Sequence, residues 1–206
     1  MHNPLRYQMT EYDCGPTSLL NGISCLFPRE DIPPEILRSV MLYCLDCFGP
    51  EGDCGKHGTS CTAMMFLSNW LNGFGQTRDF PISSRHLAGR EVNLSQNGLV
   101  RDALRRGGVA VARVEFDGGH YVLLTGLAGA QVRLFDPYYR AQPFEDPALR
   151  MVADCPDVCN RIVPAPYLER QTRDAYAFGP VEEREAVLLF NERTVLTTDS
   201  TVEYMI

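Results

Sequence analysis

Val109-Ala110-Val111-Ala112-Arg113-Val114, then His120-Tyr121-Val122-Leu123-Leu124-Thr125-Gly126-Leu127, then Gln131-Val132-Arg133-Leu134-Phe135-Asp136 form the stretch on which the fold class turns. Each run is strand-length and rich in β-branched or other apolar residues. Phe116-Asp117-Gly118-Gly119 separates the first run from the second, and Gly129-Ala130 the second from the third. Apolar runs divided by such turns predict an antiparallel meander. Arg161-Ile162-Val163 adds a short strand, and Ala186 to Phe190 a final one.

Upstream of the meander the periodicity is helical. Leu19, Leu20, Ile23 and Leu26 share one face of a helix that opens at Gly15-Pro16 and stops before Pro28. Pro33-Pro34-Glu35 starts a second helix, with Ile36, Leu37, Val40, Met41 and Cys44 on a broad apolar face. Gly49 to Gly58 is rich in glycine and charge and reads as a loop. Ser60 caps a third helix that carries Met64, Leu67, Trp70 and Leu71 and ends at Gly73. A fourth runs from near Ser95 to Gly107, and the polar stretch around His86 reads as loop. Helices first and a meander later indicate an α+β fold, with N-terminal helices packed on an antiparallel sheet, in one domain over residues 1–206.

The chemistry concentrates in three short blocks. Gln8-Met9-Thr10-Glu11-Tyr12-Asp13-Cys14-Gly15-Pro16-Thr17 places a thiol at a helix start, where free N–H groups and the dipole favour the thiolate. Pro16 suits the first helical turn because its missing N–H is no loss there. Gln8 can fold back beside Cys14 and donate to a developing oxyanion. A cysteine nucleophile also needs a base and a residue to orient that base. His120, after Gly118 and Gly119, supplies the base, and those glycines, Gly119 nearest, let a substrate backbone approach closely. Asp136 closes the neighbouring strand, where a carboxylate can fix the imidazole tautomer. Read singly, Cys14 is also a buried helix-start cysteine and Asp136-Pro137 an ordinary strand-ending turn. Together they make a Cys-His-Asp set. Asp13 reads as a helix-start charge rather than as the orienting acid.

The Gln8 to Leu19 block, the Gly-Gly-His-Tyr strand and Asp136-Pro137-Tyr138 resemble the double-glycine leader peptidases of bacterial bacteriocin exporters, and that group's stand-alone papain-like relatives. The likeness runs from about Leu5 to Tyr139, with its blocks in the family's order. It implies a papain-like fold and a thiol hydrolase that acts on a peptide or protein substrate. Cys14 would be the nucleophile, His120 the general base and acid, and Asp136 the orienter. Gln8 and the Cys14 N–H would form the oxyanion hole. The chain departs from those exporters in having no attached membrane-spanning part and in continuing about seventy residues past Asp136.

The bulk properties exclude other classes. The 206 residues are 45% hydrophobic and 22% charged, as in ordinary globular proteins, with a net charge of −7. With no dense basic patch, a nucleic-acid partner is not expected. No apolar stretch approaches the roughly 20 residues needed to span a bilayer, and Met1 to Arg6 has no signal-peptide core. A cytoplasmic location is therefore expected, with the eight cysteines mostly reduced thiols rather than a disulfide framework. No cofactor motif is present, and the oligomeric state is not legible. Cys44, Cys47, Cys54, His57 and Cys61 lie within eighteen residues and offer zinc-type donors. Their spacing is not that of two Cys-x2-Cys pairs, so free thiols are the preferred reading and no metal ligand is assigned. The alternatives to peptide or isopeptide hydrolysis are acyl transfer through the same thioester, or a non-catalytic zinc-binding or interaction module on the same fold.

Overall fold

Apolar runs without alternation, such as Val109 to Ala112, need cover on both faces of a sheet, and the fold supplies it. The structure is a computed structural model that describes residues 3–197. Among the described residues seven strands form one sheet: β1 (Ile82–Ala88), β2 (Val109–Glu115), β3 (Gly119–Ala128), β4 (Gln131–Phe135), β5 (Arg150–Met151), β6 (Arg161–Pro164) and β7 (Glu185–Asn191). The order is β1-β7-β2-β3-β4-β6-β5, and every pairing is antiparallel. Side chains alternate between the faces. Val111, Tyr121, Leu123, Val187 and Leu189 point into one apolar cluster. Ala110, Ala112, Val122, Leu124 and Leu188 point into another.

Helices α1 (Cys14–Leu26), α2 (Pro34–Cys44) and α3 (Cys61–Arg78) cover the first face. Leu19, Ile23 and Leu26 of α1 repeat at helical spacing and are buried there. A Cβ on Gly22 would lie 2.9 Å from Leu189 Cδ1 and 3.2 Å from Leu123 Cδ1, so α1 sits tight against the strands. Ser18 Oγ donates to the Tyr121 carbonyl at 3.0 Å, which fixes α1 to β3 one residue beyond His120. The second face is covered by α4 (Leu99–Arg105), α5 (Ala165–Leu168) and the segment through Tyr176 and Phe178.

The α+β expectation and the meander are found as read. Three elements differ. α3 starts with Ser60 Oγ accepting from Ala63 N–H, as expected, but runs past Gly73 to Arg78. Gly75 permits this, since a Cβ there would lie 2.7 Å from the Ile82 carbonyl. α4 is shorter than its pattern and starts after Gly98. The stretch around His86 is a strand, β1, whose polar residues fit an edge that pairs only with β7. Among the described residues, no helix is long and apolar enough to cross a membrane, and all eight cysteines are free.

Candidate active site

The candidate site forms where three chain ends meet at one end of the sheet. Cys14 is the first residue of α1, His120 the second of β3, and Asp136 follows the last residue of β4. Leu123 pairs with Phe135, so extending that register sets Asp136 across from Val122. His120 is then one diagonal step away on the same face, a separation that long side chains bridge. His120 Nε2 lies 2.7 Å from Asp136 Oδ1. Cys14 lies in the same cleft as the imidazole and acts electrostatically on it. With Nε2 committed to Asp136, Nδ1 is the nitrogen left for the thiol.

Asp136 is held from every side and is 1% exposed. Its carboxylate accepts from His120, from the Tyr138 N–H at 2.8 Å and from the Tyr176 hydroxyl. Asn160 clasps its backbone, accepting from the Asp136 N–H and donating to the Asp136 carbonyl, both at 2.8 Å. Burial raises the Asp136 pKa, but His120, Tyr176 and the Tyr138 N–H together lower it below the ordinary carboxylate value. Burial likewise lowers the His120 pKa, while hydrogen bonds and charge from Asp136 and Cys14 push it up to about 10. Both shifts favour imidazolium beside carboxylate, the state of the pair once His120 holds a proton taken from the thiol.

Tyr176 and Asn160 were not singled out in the sequence. Tyr176 is fully buried, has φ 67 and donates its amide to the Glu115 carbonyl at 2.7 Å. A left-handed, non-glycine residue held this firmly is backbone strain beside the candidate site. Burial and the Asp136 charge raise its phenol well above the ordinary tyrosine pKa, so it stays a donor. Buried Arg161 donates Nε–H to the Tyr176 oxygen at 3.2 Å. A chain of hydrogen bonds thus runs from Arg161 through Tyr176 and Asp136 to His120. The one available signal was a polar Asn160-Arg161 pair opening an apolar strand.

The remaining expected residues face the same cleft, whose volume is about 450 Å³. Cys14, His120, Gln8 and Gly119 line it, with Lys56 and His57 from the loop before α3. Gln8 is anchored through its N–H to the Pro137 carbonyl at 2.9 Å. Its Nε2 donates to the Thr10 carbonyl at 2.7 Å, and its Oε1 is buried with no partner among the described residues. Asp13 accepts from the Met9 and Thr10 N–H groups and from the Thr10 hydroxyl, and so shapes the loop that carries Gln8. Burial raises the Asp13 pKa, but these bonds bring it below the ordinary value. Asp13 makes no contact with His120 among the bonds above. Phe116 lies beside the imidazole with ring centroids 5.6 Å apart and screens one side of it.

The five zinc-type donors read from the sequence do not converge. Cys44 is fully buried in the core, where burial pushes its thiol up to about 12. Cys47 turns to Asp46, Cys54 to the Leu45 carbonyl, and His57 to Asp53. Cys61 faces His86.

No protein-family profile matches the chain, and no curated protein does. Among solved structures it is similar to a double glycine motif protease from an AMS/PCAT transporter, in complex with the leader peptide. The TM-score is 0.41 and the identity 12%, over 91% of this chain and 89% of that one.

Proposed function

We propose that this chain is a papain-like cysteine hydrolase, a relative of the double-glycine leader peptidases, that cleaves peptide or isopeptide bonds with Cys14. The reading rests on one observation: an imidazole held by a buried carboxylate at 2.7 Å, in the same cleft as a helix-start thiol. His120 takes the Cys14 proton, and the thiolate attacks the substrate carbonyl carbon. The carbonyl electron pair moves to oxygen. The Cys14 N–H, in the first helical turn and so without a partner inside the helix, is placed to receive that charge. The Gln8 amide is the second donor, since its Nε2 carries one more N–H than the Thr10 carbonyl uses. The His120 imidazolium protonates the leaving amine as the carbon–nitrogen bond breaks, leaving a thioester. Water, losing a proton to His120, then cleaves the thioester and restores the thiol. Gly119 borders the path of the substrate backbone.

An electrophilic peptide or acyl probe tests this. Labelling should fall on Cys14, vanish in Cys14→Ala and depend on His120. Labelling spread over all eight cysteines would remove the proposal's support. Gln8→Ala should cut turnover by about 10²–10³-fold, the cost of one oxyanion donor. Simple alkylation of Cys14, which builds no oxyanion, should stay near normal. Joint loss of both would make Gln8 a structural support instead.

A further inference from the structure

We propose that Cys61, His86 and Glu185 form a binding site for a zinc-class divalent cation, independent of the Cys14 reading. The three residues come from three elements. Cys61 opens α3, His86 lies on edge strand β1, and Glu185 opens β7. Ala88 pairs with Glu185 and His86 with Val187, so His86 and Glu185 are diagonal neighbours on one face. Val187 of β7 points into the cluster beneath α3, and Glu185, two residues earlier, shares that side. The sheet therefore presents an imidazole and a carboxylate to the start of α3, where Cys61 waits.

The geometry is that of a chelate, not of a relay. Cys61 Sγ is 3.7 Å from His86 Nε2, and the same Nε2 is 3.5 Å from Glu185 Oε2. All three donor atoms lie within 4.8 Å of one another. In a catalytic relay the imidazole bridges acid and thiol through its two different nitrogens. Here one nitrogen faces both partners, so the three lone-pair atoms converge on one point. A tetrahedral zinc with ordinary bond lengths sets sulfur and nitrogen about 3.5 Å apart, and nitrogen and oxygen about 3.3 Å apart. The sulfur–nitrogen and nitrogen–oxygen pairs need only close by a few tenths of an ångström, and the sulfur and carboxylate lie within 4.8 Å of each other.

A second observation points to a missing ligand. Glu185 is 4% exposed, and its Oε1 accepts from the Tyr121 hydroxyl, while its Oε2 has no hydrogen bond of normal geometry and meets only His86 Nε2, 3.5 Å away. A buried carboxylate oxygen left over in this way is costly unless something positive meets it. Tyr121, bonded to the far oxygen, orients the carboxylate as an outer partner of a metal ligand does. Thiolate, imidazole and carboxylate together select a borderline cation over magnesium or calcium. Cys61 is exposed, so solvent reaches the site and water fills the fourth position. Binding releases the Cys61 thiol proton to solvent as the sulfur–metal bond forms, with no electron transferred.

Titration of the chelator-stripped full chain with cobalt(II) tests the site, since a thiolate ligand gives a sulfur-to-cobalt charge-transfer band. One equivalent should develop the band, and zinc should abolish it by displacement. Cys61→Ser should lose the band and His86→Ala should weaken binding. Tyr121→Phe should weaken it by about 10–100-fold, the usual cost of an outer partner. Cys14→Ala and the Cys47→Ser, Cys54→Ser double variant should keep the band. Circular dichroism identifies any variant that fails to fold, and Glu185→Gln, nearly isosteric, supplies a second test through its weakened affinity. Absence of the band in the parent chain overturns the proposal. So does its survival in folded Cys61→Ser, or its loss in the Cys47, Cys54 variant.

Discussion

At the scale of single residues, His120 is the group whose charge decides what the proposed site can do. Its pKa is pushed up to about 10 by Asp136 and Cys14 against the opposing effect of burial. A general acid works while protonated, so turnover should persist through neutral pH and fall as pH rises through that range. Asp136→Asn removes a hydrogen-bonded charge that favours the imidazolium, so the alkaline limb should move to lower pH. A pH–rate profile with an acyl or peptide substrate measures this, and an unmoved limb would uncouple the two residues. Tyr176→Phe removes one donor from a buried carboxylate and should cost about 1.5–3 kcal/mol in denaturant melts. His120 and Asp136 were readable because they lie at matching ends of adjoining strands in one local meander. Tyr176 and Asn160 were not, because they reach Asp136 from 40 and 24 residues further along the chain, with no motif between.

At the scale of elements, the fit of α1 to the sheet makes two glycine substitutions differ in sign. Glycine in a helix interior ordinarily costs about 1 kcal/mol relative to alanine. At exposed Gly73, where a Cβ meets nothing within 4 Å, alanine should recover that stability. At Gly22 the added methyl would press on Leu189 and Leu123, both buried, and on Val109. Overpacking of a filled core costs about 1–3 kcal/mol, so Gly22→Ala should lower the melting temperature while Gly73→Ala raises it. Equal shifts would mean that α1 does not rest on the sheet as described. The central strands were legible because full burial makes them continuously apolar. β1 was not, since an edge strand exposes polar groups and its sequence then resembles a loop. α3 overran its predicted end at Gly73 because that glycine sits on an exposed helical turn, and left-handed Asp79 caps the helix instead.

At the scale of the whole molecule, the part of the chain after Tyr139 backs the site rather than decorating it. It brings Asn160, Arg161 and Tyr176 to Asp136 and covers the second face of the sheet. Its role was illegible because those contacts are between elements far apart in sequence. β7 lies between β1 and β2, and its Val187 and Leu189 enter one core while Ala186 and Leu188 enter the other. A chain ending at Arg184 should therefore lose cooperative unfolding altogether, measured by thermal circular dichroism. A sharp melt in that variant would show that the sheet closes without its inner strand.

That inner place for a late strand also sets a clock on synthesis. Gln8, Cys14, His120 and Asp136 have all been translated once residue 136 is made, yet β1 and β2 stay unjoined until Asn191 clears the ribosome. Pairings this distant form slowly, because loop closure precedes any gain from contact. During elongation the thiol therefore belongs to an unfinished sheet, and its reactivity should rise only when β7 slides into the gap.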